Sequence, residues 1–197
     1  MVSNKIKLIT FTGSTGAGKT TIAGELMRRY TECKWLGGYT TRQLRPTDLP
    51  GEYYSISKEE FLHLVNEDRF VEWVQVHGND YYGTLKESVD SIIHGSNSVF
   101  FKTIDPIGLL KLITYAPTVV RSFYVLAPSE DILQKRLRDR GETEETIARR
   151  LIDCKRWDVD ARASSIPYIF IRNERTVGEI VDHVLEYLTD VFPRSAA

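Results

Sequence analysis

Long apolar runs are missing from this chain. No stretch approaches the ~20 residues that a membrane-spanning helix needs, so a membrane protein of the helical kind is not expected. Met1-Val2-Ser3-Asn4-Lys5 has neither the apolar centre nor the small-residue cleavage site of a secretory leader. Cysteine is scarce: Cys33 and Cys154 lie far apart and outside any CxxC spacing, which excludes a disulfide framework and fits free thiols in a reducing compartment. An excess of one charge is absent too. Lys and Arg number 26 against 27 Asp and Glu, for a net charge of −1, so there is no broad basic field to hold nucleic acid or an anionic membrane. Any anion site must come from local placement of arginines. The four histidines (His63, His77, His94, His183) are too dispersed to ligate a metal. Repeats and low-complexity tracts are also lacking. These absences together predict a soluble cytoplasmic protein with small-molecule partners, monomeric or a small homo-oligomer.

What is present describes an ordinary globular domain: 197 residues, 42% hydrophobic and 27% charged, enough to bury one core. Short apolar runs alternate with helical patterns, which predicts an α/β fold with a mostly parallel sheet. The first strand is expected at Ile6–Phe11, with a helix from about Gly18 to Arg29. Buried strands are expected at Ser98–Ile104, Val119–Leu126 and Tyr168–Ile171. Between them, Pro106 opens one helix, Ser129 caps another, and a third runs from about Thr143 to Asp160. The last starts at Thr176, with Glu179 completing a capping box, and is expected to reach Val191. Residues 35–97 break the rhythm, with turn signals, strand-like pieces at Gly51–Ile56 and Phe70–Val76, and the capping-box patterns Ser57…Glu60 and Thr84…Glu87. They read as an insertion with its own small sheet.

Gly13-Ser14-Thr15-Gly16-Ala17-Gly18-Lys19-Thr20 matches G-x-x-x-x-G-K-[ST] at every fixed position, between an expected strand and an expected helix. Backbone N–H groups in such a loop point inward around a phosphate, and the helix start adds favourable partial charge. Lys19 would reach the β- and γ-phosphates and Thr20 would ligate Mg²⁺, with Thr21 one residue further into the helix. The motif implies nucleotide binding on a P-loop NTPase three-layer sandwich. A guanine-specific switch is disfavoured, because Asn-Lys-x-Asp is absent and Arg172-Asn173-Glu174-Arg175 does not replace it.

Further signatures follow in order along nearly the whole chain: Thr40-Thr41-Arg42-Gln43-Leu44-Arg45, Gly51-Glu52-Tyr53-Tyr54, Phe70-Val71-Glu72-Trp73, Gly78-Asn79-Asp80-Tyr81-Tyr82-Gly83-Thr84, and Arg136 through Gly141 and Thr143 to Arg149-Arg150-Leu151. With the phosphate loop they make the chain resemble the guanylate kinase family. The resemblance implies a nucleoside monophosphate kinase using ATP and Mg²⁺, built as a single domain. Its core would be 1–34, 98–137 and 151–197, its acceptor-binding insertion 35–97 and its lid 138–150. It implies that Arg42, Arg45, Tyr53 and Tyr82 grip the acceptor phosphate, for which planar guanidinium groups are well suited. It implies that Glu72 reads guanine, one carboxylate accepting from both N1–H and the N2 amine, with Thr84 in the same acceptor site; Asp105, at the end of the Ser98–Ile104 strand, where parallel sheets place ligand-contacting groups, is expected there too, orienting Mg²⁺ through water or pairing with an acceptor-site arginine. Arg136, Arg140 and Arg150 would close over the donor phosphates, stabilise transferring charge and exclude water. Lys19, Arg42, Arg136 and Arg150 are thus the expected catalytic residues.

Three positions depart from the family's pattern. Gly38 stands where a serine usually donates to guanine O6. Thr103, in Thr103-Ile104-Asp105, replaces the first acid of an acid-x-acid pair. Asp80 is inserted before the paired tyrosines. Thr84, Thr41 or a backbone N–H would have to supply the serine's donor. GMP or dGMP is the leading acceptor; a modified purine nucleotide, a ribose bisphosphate, or a non-catalytic binding role are the alternatives.

Overall fold

The computed structural model describes residues 5–46, 48–76, 80–95 and 98–192. Met1–Asn4, His77, Gly78 and Asn79 lie outside the described residues. So the front of the motif that ends in Gly83-Thr84 is not part of the account below.

The elements run in chain order as β1 (Leu8–Thr12), α1 (Lys19–Arg29), β2 (Lys34–Trp35), β3 (Gly38–Thr40), β4 (Tyr53–Ser55), α2 (Lys58–Asn66), β5 (Phe70–Gln75), β6 (Tyr81–Leu85), α3 (Lys86–Gly95), β7 (Phe100–Thr103), α4 (Pro106–Tyr115), β8 (Val120–Leu126), α5 (Glu130–Asp139), α6 (Glu144–Ala163), β9 (Tyr168–Arg172) and α7 (Val177–Glu186). A five-stranded sheet has the order β2-β7-β1-β8-β9, and a four-stranded sheet the order β4-β3-β6-β5. The fold is α/β, with a parallel five-stranded sheet and a small mixed one, as the alternation of apolar runs and helical patterns implied. By its internal contacts the chain forms two compact units, Met1–Thr10 with Thr31–Val120, and Phe11–Tyr30 with Arg121–Ala197.

In the first unit β2 pairs with β7 in parallel, Lys34 opposite Phe100. Lys7 accepts from Phe100 N–H through its carbonyl, and its Nζ donates to the carbonyls of Ile92 and Ile93 at 3.2 and 2.9 Å. A cation thus meets the unpaired carbonyls at the end of α3, where the helix dipole favours it. In the mixed sheet β3 pairs with β4 in parallel and with β6 antiparallel. β5 pairs with β6 antiparallel, with a register irregularity between Phe70 and Glu72. Phe61, Phe70, Tyr81 and Leu85 form the core beneath that sheet. The Phe61 and Phe70 rings stack at 4.6 Å, an arrangement that contributes about 0.5–1.5 kcal/mol beyond the area it buries.

In the second unit β8 and β9 pair in parallel from Ser122 opposite Tyr168 to Leu126 opposite Arg172. Phe123 to Val125 of β8 are fully buried, which is why this strand reads as a continuous apolar run. Leu133, Leu137, Ile147 and Cys154 join α5 to α6. Arg29 of α1 is paired with Asp182 of α7 at 2.5 Å.

Four local expectations change. β1 starts at Leu8, two residues late. Ser129 sits at the N-cap of α5, but its side chain makes no cap bond. α7 stops at Glu186; beyond it Tyr187, Leu188 and Val191 bond three residues back, in tight turns rather than helix. The helix expected after Thr84 is present as α3, but it starts at Lys86 and Thr84 does not cap it: Thr84 lies in β6, opposite Glu72, and its hydroxyl is turned to that carboxylate. Strand pairing and a buried charge outweigh a local capping pattern there.

Candidate active site

The phosphate loop leaves β1 at Gly13, whose φ of +142° is open to glycine. A Cβ at Gly13 would collide with the carbonyl oxygen of Val125. α1 then starts from Gly18 in the left-handed region (φ 98°, ψ 17°), with no side-chain cap and no acid in its first turn. Its leading N–H groups and dipole are therefore presented to an anion rather than to a carboxylate. Lys19 Nζ folds over the loop and donates to the carbonyls of Gly13 at 2.7 Å and Ser14 at 2.9 Å. Ser14 is buried and its hydroxyl meets the Cys154 thiol at 3.1 Å, while Thr15 and Thr21 are exposed.

Asn173, just past β9, donates its amide to the carbonyl of Ala17 and packs on Gly18. Arg172-Asn173-Glu174-Arg175 is no guanine motif, and Asn173 is not among the site residues expected from the sequence. Its place at the carboxyl end of a parallel strand was the available signal. Arg136 of α5 donates from Nη1 to the carbonyl of Gly16 at 3.3 Å. Burial, and then the charge of Arg140, push its guanidinium below the ordinary arginine value, so an anion beside it would be welcome. Arg140 is the C-cap of α5. Arg150 is held by Glu142 at 2.9 Å, a surface pair of small worth that a phosphate can outcompete.

In the other unit a second constellation forms. Arg42 is 9% exposed. Its Nε donates to the Tyr82 hydroxyl at 2.9 Å, and Nη1 and Nη2 reach Asp48 at 2.9 and 3.2 Å. The Tyr53 ring lies 5.3 Å from the guanidinium. Burial lowers the Arg42 pKa, but Asp48 and Tyr82 outweigh it, and the net direction is up. Burial also lifts the Tyr53 phenol to about 12, so it remains a proton donor at neutral pH. Arg45 is exposed, and its backbone N–H donates to Asp48 at 2.6 Å.

Glu72 is the buried carboxylate of this unit, 5% exposed. The Thr84 hydroxyl donates to its Oε1. Gly108 of α4 gives Oε2 its room: a Cβ there would stand 2.9 Å from Glu72 Oε2 and 3.0 Å from Asp105 Oδ2. Burial raises the Glu72 pKa; Lys102 and the Thr84 hydroxyl oppose this, and the net direction stays upward. Asp105 is the N-cap of α4, its Oδ1 accepting from Ile107 and Gly108 N–H at 2.9 and 3.0 Å.

Arg42, Tyr53, Tyr82, Glu72, Thr84 and Asp105 therefore occupy one unit, while the 13–20 loop and Arg136, Arg140 and Arg150 occupy the other. Three residues here were not foreseen. Lys102 of β7 is buried among Glu72, Glu52 and Asp105. Its signal was a lysine inside the apolar run Val99-Phe100-Phe101, since a buried charge requires partners. Glu52 is buried and accepts from the Thr103 hydroxyl at 3.3 Å, so a carboxylate returns near the position where Thr103 replaces one. Asp48, between Pro46 and Pro50, had no signal beyond turn chemistry.

A family model described as Guanylate kinase matches residues 5–191. Among curated proteins, a guanylate kinase of Desulfitobacterium hafniense (strain Y51) is 39% identical over 153 residues, 77% of this chain and 75% of that protein. One of Synechococcus sp. (strain JA-3-3Ab) is 32% identical over 168 residues, 85% and 76% of the two chains. The crystal structure of guanylate kinase from Anaplasma phagocytophilum superposes with a TM-score of 0.64 at 22% identity, covering 97% of this chain and 88% of that one; this last likeness speaks to the fold alone. Among the described residues no helix is long and apolar enough to cross a membrane.

Proposed function

Because this chain belongs to the guanylate kinase family, we propose that it transfers the γ-phosphoryl group of ATP to GMP or dGMP, giving ADP and the corresponding diphosphate. The observation that carries the acceptor assignment is the buried Glu72 carboxylate, kept open by Gly108 and oriented by Thr84. Guanine offers N1–H and the N2 amine side by side, and one carboxylate accepts both. Adenine presents an acceptor at N1, which would face that carboxylate unpaired.

The acceptor phosphate replaces Asp48 on Arg42, with Tyr82 and Tyr53 adding hydroxyl donors and Arg45 a second guanidinium. That phosphate is already ionised, so the reaction needs no general base. On the donor side the 13–20 loop holds the ATP phosphates, Lys19 leaves its loop carbonyls for the β- and γ-phosphates, and Asn173 keeps the loop seated. Arg136, Arg140 and Arg150 neutralise charge on the transferring group and keep water out. Mg²⁺ fits a site made mostly by the nucleotide: the Thr20 hydroxyl stands at the helix start, and no cluster of acids or histidines able to hold a metal occurs among the described residues. When bound it neutralises phosphate charge.

The test is a coupled ADP-release assay with ATP–Mg²⁺ and a panel of GMP, dGMP, IMP, AMP, CMP, UMP and a ribose phosphate. Turnover confined to GMP and dGMP is expected, and Lys19→Ala should abolish it while leaving the melting temperature of the free protein unchanged. Turnover only with the ribose phosphate would move the substrate; none with any acceptor would leave the binding role.

A further inference from the structure

We propose that Lys102 is a specificity residue, donating from Nζ to the O6 carbonyl of the acceptor base beside the two donors that Glu72 accepts. The proposal rests on the guanine-reading role of Glu72 given above.

A guanine whose N1–H and N2 amine face Glu72 carries O6 next to N1 on the same edge. A donor must therefore lie beside Glu72, because a carbonyl oxygen buried without one loses a hydrogen bond it had in water. The hydroxyls nearby are committed. Thr84 gives its proton to Glu72. Thr103 donates to Glu52. Thr41, whose hydroxyl oxygen accepts from Tyr81 N–H at 3.0 Å, is not nearby: it sits at the opposite end of β6 from Thr84. Lys102 is not committed. Its ammonium carries three protons, and its only hydrogen bond among the described residues is a long one, 3.5 Å to the carbonyl of Leu36.

The surroundings of that ammonium are those of a ligand site. The side chain is 5% exposed. Burial lowers the Lys102 pKa; Glu72, Glu52 and Asp105 oppose this with favourable charge, and the net direction stays down, yet no carboxylate of the described residues comes within ion-pair distance of it. Gly38 on β3 leaves the adjoining space open: a Cβ there would stand 3.4 Å from Lys102 Nζ and 3.4 Å from the Tyr53 ring. A buried cation supported electrostatically but short of acceptors gains most from an oxygen that arrives with the substrate. Lys102 also adds discrimination, since the amine of adenine at the same position would oppose the ammonium with donors of its own.

The experiment compares kcat/KM for GMP with that for 6-thio-GMP. The thio analogue keeps both donors that face Glu72 and replaces O6 with sulfur, a poor acceptor. Wild type should prefer GMP. Lys102→Met should lower kcat/KM for GMP about ten- to hundredfold, the factor carried by one buried hydrogen bond, with 6-thio-GMP and the KM for ATP little changed. Lys102→Gln, which keeps a donor without the charge, should retain part of the preference, and Lys102→Met with Gly38→Ser should restore part of it. If Lys102→Met does not fold, Gly38→Ala tests the same space, and the preference should fall. Equal losses for both nucleotides, or none, would overturn the proposal and leave Lys102 as a counter-charge for the carboxylates. Glu72→Gln separates the two readings: it should weaken both nucleotides alike, and if it does so while Lys102→Met leaves their ratio unchanged, only the Lys102 role falls. No GMP turnover by wild type would remove both.

Discussion

Asp48 holds Arg42 as a phosphate would, with two carboxylate oxygens on two guanidinium nitrogens. Burial raises its pKa, but the bonds from Arg42 and the Arg45 N–H win, and the net direction is down. The stability this pair contributes is present above the ordinary Asp value of 3.8 and is lost as pH falls through the lowered value. On the role proposed for Arg42, an arriving acceptor phosphate has to displace this carboxylate. Asp48→Asn should therefore lower the KM for GMP severalfold and lower the melting temperature of the free protein. A raised KM would mean that Asp48 positions Arg42 instead of competing for it. Glu72 has the opposite sign. Its folded pKa lies above the ordinary 4.5, so between those two values the folded chain holds a proton that the unfolded chain releases. Stability therefore falls as pH rises through that window, while the ionised form needed to accept from guanine appears. A profile of kcat/KM for GMP should accordingly show an acidic limb above pH 4.5 that Glu72→Gln removes, along with about ten- to hundredfold of the activity.

At the scale of elements, the start of α4 joins stability to the proposed acceptor site. Asp105 caps the helix with Oδ1, and its Oδ2 faces the same space as Glu72 Oε2. Asparagine caps as well as aspartate, whereas alanine does not cap. Asp105→Ala should cost about 1 kcal/mol, or about 2–4 °C in a thermal melt for a chain of this size. Asp105→Asn should keep the melt and change only acceptor kinetics, through the charge it removes near Lys102. Equal melts for the two variants would deny the cap. Helix starts were legible where the signal is local: Pro106 after Asp105, and Thr176 with Glu179, whose reciprocal bonds are both formed. The same pattern at Thr84 and Glu87 located α3 but not its cap, because antiparallel pairing of β6 with β5 sets Thr84 opposite Glu72 and buries it. No short-range pattern records that partner.

At the scale of the whole molecule, the residues proposed for the donor and for the acceptor fall in different compact units, so the two binding reactions should be separable. Each ligand that binds only the folded chain adds RT ln(1 + [L]/Kd), about 2.7 kcal/mol at a hundredfold excess over Kd. Lys19→Ala should lose most of the thermal shift given by ATP–Mg²⁺ and keep the shift given by GMP; Glu72→Ala should do the reverse. Loss of both shifts in either variant would show that the sites bind only together. Gly13 to Thr20 announced a phosphate loop because contiguous residues build it from backbone geometry, and the spacing of Arg42, Glu72 and Tyr82 carried the family's order. The sequence by itself thus determined the fold class and the family, and it named the residues from which both sites are proposed. Tertiary structure decided the company each group keeps. Asp48 lies on Arg42, Asn173 on Ala17, and Lys102 beside Gly38 and Glu72, which are 64 and 30 residues away in the chain. Those contacts depend on register and burial across strands distant in sequence, and a buried charge finds its partners only once the chain has closed around it.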